Sequence, residues 1–438
     1  MKARQAVVVL AMLLSVVACV EPDVSATPHA EQTSSPSDAD PTLPQAFGSL
    51  AYIGSDGNVW VTSPGEGWTR PVTRDATAPP EGQGRSYHRV VWSRNGALSF
   101  AAVVRSGDDA SGELFVQAAR GETPERIARS SEYFFIYLYA SPAACEEPSR
   151  CPSLAYLIEE ANGVELHLVT VGDDGPQDLS LAVGRPFYLS WSPDGEEILW
   201  HTGGDLRDNP AAEIGLYTID DDLRRILPYA PGTFQAPAWS PRGEAWLGVV
   251  GSGGVNRLQH VTPDGVATLF ATKGRGIDVA WSPTGRRAAY AARAWAGASF
   301  YDPIQVVDVD SGMSDQVTDD AFAILAFFWS PDGERLAYLT RLDLPDDVWM
   351  QWRVFDLATG LDRGYTAFRP SPLMRFTIHS FSQYAQSHRF WSPDGRYLVY
   401  TDRDDGGADR VWLVDTSAEK GADPILVDEG SIGVWSWR

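Results

Sequence analysis

The pentapeptide W-S-P-D-G, or a close copy, recurs along the chain. It reads WSRNG at Trp92, WSPDG at Trp191, WSPRG at Trp239, WSPTG at Trp281, and WSPDG again at Trp329 and Trp391. A repeat at this spacing means an array of like supersecondary units, each burying the face its neighbour leaves open. The motif is itself a turn sequence: a side-chain acceptor, then Pro fixing φ, then Gly at the fourth position. Around Trp191, an apolar run at 186–190 precedes the turn and another at 197–201 follows it, which reads as a hairpin. Further strands at 214–219 and 223–227 complete a four-stranded unit before the next motif.

One unit is disguised. Trp92 and Trp191 stand 99 residues apart, room for two units. The missing motif falls at Tyr139-Ala140-Ser141-Pro142, where a loop carrying Cys145 and Cys151 replaces the tight turn. Units then begin at 92, 139, 191, 239, 281, 329 and 391. The strands at 50–53, 59–62 and 70–73 lack an innermost partner, and the segment 433–437 at the other end of the chain supplies it. That pairing closes a ring and removes the open edges of a sheet. The expected fold is all-β: a single β-propeller of four-stranded blades, eight by this count, or seven if one unit is degenerate. The C-terminal strand closes it.

Residues 1–18 read as a signal peptide. Lys2 and Arg4 precede an apolar run at 6–17 that is too short to span a bilayer. The run ends in Val16-Val17-Ala18-Cys19, which resembles the bacterial lipobox. That resemblance implies a lipidated Cys19 at the mature N-terminus, and a location in the cell envelope facing the periplasm or exterior. Residues 19–46 are rich in Pro, Ser, Thr, Asp and Glu and bury too little to fold, so they read as a tether for the propeller at 47–438. A net charge of −23 argues against nucleic acid, whose phosphates call for clustered Lys and Arg. It also discourages docking onto anionic lipid, leaving the N-terminal lipid as the only membrane contact of an expected monomer. In an exported compartment Cys145 and Cys151, six residues apart, are most simply a disulfide.

These repeats resemble the WSPDG-type propellers of TolB, the periplasmic protein of the Tol–Pal system, and those of prolyl oligopeptidase-like enzymes. The resemblance implies the fold. The peptidases add a hydrolase domain with a G-x-S-x-G nucleophile elbow, and this chain has no such motif leading into a helix.

The motif turns share one face of the ring, and their Trp and Asp residues read as packing and turn-forming groups. The opposite face carries longer loops, where binding residues collect. The candidates there are His201, Asp205 and Arg207 in the 201–212 loop, Trp295 and Tyr301 in 291–303, and His379, Gln383, Tyr384 and His388 in 363–388. The leading expectation is a non-enzymatic module, without cofactor, that binds an envelope protein, peptide or glycan through this face. The alternative brings His201, His379 and His388 together with Gln383 or Gln386 around a divalent metal. A resemblance to propeller-fold oligogalacturonate lyases implies, for that case, a metal-dependent polysaccharide lyase or hydrolase.

Overall fold

The motif builds its turn the same way at each complete copy. At Trp191 the Ser192 hydroxyl donates to Asp194 Oδ1 at 2.5 Å, and Asp194 accepts the Glu196 amide at 3.0 Å. The Glu197 amide returns to Ser192 Oγ at 2.8 Å, and Gly195 closes the turn at φ +78°. Ser330, Asp332 and Gly333 repeat the arrangement, as do Ser392, Asp394 and Gly395. The left-handed glycine also faces the preceding unit. A Cβ on Gly333 would fall 2.6 Å from Ser282 Oγ, and one on Gly195 would fall 2.4 Å from Ser141 Oγ. Ser141 therefore serves the disguised unit as Ser282 serves a regular one.

The tryptophans join the units. Four of the motif indoles donate their N–H to the carbonyl just before the corresponding position of the preceding unit: Trp391 to Phe328, Trp329 to Ala280, Trp281 to Ala238 and Trp191 to Tyr139, at 2.9–3.1 Å. Trp92 donates to Val434 at 3.2 Å, so the same link runs across the two ends of the chain.

A computed structural model describes residues 48–438, apart from 78–82, 132–133, 144–152, 162, 173–174, 206–207, 234, 343–347 and 418–422. It is an all-β propeller. Seven hydrogen-bonded sheets make the ring, six of them four-stranded antiparallel units in chain order. The seventh has six strands because Ile425–Trp435 serves two units. Its first half pairs with Asp409–Asp415 (Leu413 opposite Ile425), and its second half pairs with Leu50–Gly54 (Leu50 opposite Trp435). Among the described residues the ring has seven blades, the lower of the two numbers the repeat allowed, because the unit at 391 and the strands at 50–73 join in one sheet through a shared strand. The C-terminal strand closes the ring as expected.

Hydrophobic clusters fill the space between neighbouring sheets, with Trp200, Trp352 and Trp435 fully buried. Each fully buried large apolar side chain contributes roughly 1.5–3 kcal/mol. Among the described residues no helix is long and apolar enough to cross a membrane. The signal peptide, Cys19, the tether, Cys145, Cys151 and Arg207 all lie outside the described residues.

Candidate functional site

The stretch 363–388, expected as a long loop, carries the chain's helical insertion. After the strand Asp362–Phe368 come two short helices, α1 (Pro372–His379) and α2 (Phe381–Ser387). Ser371 caps α1 by accepting the Met374 amide, and Pro372 takes the first-turn position, where its missing N–H costs nothing. Helices this short are marginal alone and depend on what they pack against. Here α2 touches four first strands, Phe135–Ala140, Phe187–Trp191, Ile277–Trp281 and Ile324–Trp329, while α1 touches Ile324–Trp329 and Ile425–Trp435. Only a segment on the ring axis can reach strands from so many units, so the pair of helices plugs the channel.

The plug is bonded as well as packed. Phe381 meets Tyr301 and Phe328 edge-on and Phe327 at a tilt. Gln383 accepts the Leu189 amide at 2.7 Å and donates to the Leu189 carbonyl at 2.7 Å and the Tyr137 hydroxyl at 2.9 Å. Gln386 donates to the Pro237 carbonyl at 2.9 Å. The Tyr137 hydroxyl reaches Ser387 Oγ at 2.6 Å, which in turn sits 2.6 Å from His388 Nδ1. His388 also hydrogen-bonds the backbone of Val90, and burial pulls its pKa down to about 3, so the ring is neutral.

The structure distributes the expected site residues widely. Gln383, Tyr384 and His388 are buried in the plug. His201 is buried, with Nδ1 3.2 Å from the Gln235 carbonyl and Nε2 3.0 Å from that of Gly204; burial lowers its pKa. Asp205 is buried beside it. Tyr301 is buried and donates to Asp278 at 2.5 Å, and Asp278 also pairs with Arg293 at 3.4 Å. Only Trp295 and His379 are exposed among the described candidates. Trp295 meets Phe300 edge-on at 4.8 Å. His379 borders a cavity of about 180 Å³ on the long-loop face with Arg293, Arg341 and Arg375. The convergence expected of His201, His379 and His388 does not occur: among the described residues no group of three or more His, Cys, Asp or Glu side chains could hold a metal ion. The rings of His201 and His388 are instead buried against partners from both their own and distant segments, Gly204 and Gln235 for the first, Ser387 and Val90 for the second.

The better-formed concavity lies on the face expected to be plain. A cavity of about 190 Å³ opens among the motif turns. Ala385, Gln386 and His388 of the plug segment floor it, and Trp191, Trp239, Trp281, Trp329 and Trp391, with Pro193, Pro241, Pro283 and Pro331, form its wall. Four of these five indoles spend their N–H on the preceding unit. Trp191, Trp329 and Trp391 are buried, so the aromatic surface open to the cavity comes mainly from the half-buried Trp239 and Trp281. Arg94, Arg389 and Trp437 complete the lining. The Arg389 guanidinium lies 3.9 Å from the Trp437 ring centre and that of Arg94 lies 5.0 Å away. Neither forms an ion pair with a described residue. Burial, then the like charge of Arg94, pulls the pKa of Arg389 down to about 10, so it remains a cation at neutral pH. Sequence reasoning passed over these residues, although one signal was visible: Arg94 stands in WSRNG where the other copies carry Pro.

No family model matches this chain, and no curated protein does. Solved structures similar to it include TolB from Acinetobacter baumannii, at 15% identity over 76% of this chain and 81% of that one, with a TM-score of 0.40. A putative TolB from Agrobacterium tumefaciens is 16% identical over 74% and 90%, with a TM-score of 0.33. An oligogalacturonate lyase from Vibrio parahaemolyticus is 12% identical over 84% and 98%, with a TM-score of 0.48. At such distances neither the activities nor the partners of those proteins transfer to this chain.

Proposed function

We propose that this chain is a non-enzymatic binding module of the cell envelope, anchored through lipidated Cys19 and the tether at 19–46, that receives a segment of a partner protein in the motif-face cavity. One observation carries the reading: a cavity walled by tryptophan and proline rings, closed below by the plug, with two guanidiniums at its edge that have no acidic partner among the described residues. Apolar walls with a few placed polar groups are what ligand sites are made of. The plug supports it further, because filling the axis turns a through-channel into a pocket with a floor. The binding face thereby moves from the long loops, whose candidates are mostly buried, to the motif turns.

The test places a photo-crosslinking amino acid at Ala140, the position in the disguised unit where other motifs carry Trp, and separately at Trp295 on the opposite face. The full-length protein is irradiated in its native membrane. Adducts from position 140 and not from 295 are expected. Adducts from 295 alone return the binding face to the long loops, and adducts from neither refute the binding reading.

A further inference from the structure

Two guanidiniums crowd one indole at the edge of this cavity, in a chain whose net charge is −23. Acidic partners are abundant elsewhere: Arg353 pairs with Asp362, Arg396 with Asp415 and Arg403 with Asp409. Arg94 and Arg389 have none among the described residues, yet they lie close enough for the charge of one to depress the pKa of the other. Holding like charges together unpaired is unfavourable, and an incoming anion relieves it. A guanidinium matches a carboxylate through two parallel N–H donors, and resting it on an aromatic face leaves those donors free in the ring plane.

The rest of the cavity limits what carries that anion. Most of the indole N–H groups on the wall are committed to backbone carbonyls, and the Gln386 amide is committed to the carbonyls of Pro237 and Ser382. A glycan, which needs many hydrogen-bond partners, finds few here. An apolar side chain finds ring faces and prolines. The volume, about 190 Å³, suits one large side chain, and the plugged floor stops a chain from threading through. An apolar side chain and a carboxylate held one carbon apart occur together at the last residue of a polypeptide.

Resting on the reading above that the cavity binds a partner segment, we propose that Arg94 and Arg389, stacked on Trp437, form a receptor for the C-terminal carboxylate of a protein ending in a large apolar residue, whose side chain enters the cavity. The probes are acetyl-Pro-Phe as the free acid, the same dipeptide as its amide, and acetyl-Asp-Phe-amide, each titrated calorimetrically into the full-length protein. The free acid is expected to bind at least tenfold more tightly than the amide, with an advantage that shrinks as salt is raised. Arg94→Gln, at an exposed position, and Arg389→Gln are each expected to cut that ratio severalfold, the double variant to bring it near one, and Arg389→Lys to restore part of it. Unfolding midpoints near wild type identify the variants that report on binding; Arg94→Gln serves if Arg389→Gln does not fold. Equal binding of acid and amide by the wild type, or an undiminished ratio in the folded variants, overturns the carboxylate receptor while leaving the cavity as a site. Tighter binding of the Asp peptide amide than of the free acid overturns the chain-end assignment. Binding of none of the three overturns this inference, and the crosslinking result at position 140 then decides separately whether the cavity is the site.

Discussion

Gln383 makes three hydrogen bonds from plug to ring, and its removal tests whether the helices are held by the ring or only rest in it. Its amide satisfies both the N–H and the C=O of Leu189, each at 2.7 Å, on a residue with 0% exposure. It also donates to the buried Tyr137 hydroxyl. Gln383→Ala strands both Leu189 groups in a site sealed by Tyr137 and Tyr384. A stranded buried group costs about 1–3 kcal/mol, so the pair is worth roughly 3 kcal/mol. Gln386→Ala is the comparison, since from a half-buried side chain it removes one bond to the ring, at the Pro237 carbonyl, and a longer one to Ser382 in its own helix, and should cost about 1 kcal/mol. Urea unfolding midpoints, read with unchanged slope, measure both. If Gln383→Ala costs no more than Gln386→Ala, the hydrogen-bonded plug is refuted. Gln383→Glu adds a check through pH. Its carboxylate would face the Leu189 carbonyl, raising the folded pKa above the unfolded value of about 4.3. Its stability should therefore lie nearest wild type below about pH 4.3 and fall away as pH rises through the folded pKa.

The inter-unit link predicts a difference between neighbouring tryptophans. Trp281 donates to the Ala238 carbonyl, whereas the buried indole nitrogen of Trp239 has no partner among the described residues, so Trp281→Phe should lower stability by about 1–2 kcal/mol more than Trp239→Phe. Equal losses in thermal unfolding would count against the link. His388 predicts a pH dependence: its folded pKa of about 3 lies below the unfolded value of about 6.5, so between these limits the unfolded chain takes up the proton and stability falls as pH is lowered, by up to about 1.4 kcal/mol per unit. His388→Asn removes that term; its deficit relative to wild type at pH 7 should narrow by pH 4.5, and a deficit independent of pH would contradict the burial of a neutral ring.

The repeated architecture was legible in the sequence because the chemistry that builds it is local. A Ser-Pro-Asp-Gly turn is decided by residues three apart, and strand patterns by alternate side chains, so the units, the disguised copy at Tyr139 and the closing role of the last strand could all be read from spacing. The plug was not legible for the converse reason. Helices of eight and seven residues lie below the length at which periodicity or propensity declares itself, and what stabilises them is contact with first strands far away in sequence, as where Gln383 meets Tyr137 across 246 residues. The same non-local packing turned His201, Tyr301, Gln383 and His388 from candidates for an exposed face into interior residues. It also set Arg94 beside Arg389 across nearly 300 residues of chain, where closure of the ring brings the ends together against Trp437. By itself, the sequence determined that the chain is a ring of turn-linked sheets; which face of that ring is hollow, and which charges meet there, was decided only by closing it, because both depend on groups that become neighbours through the fold alone.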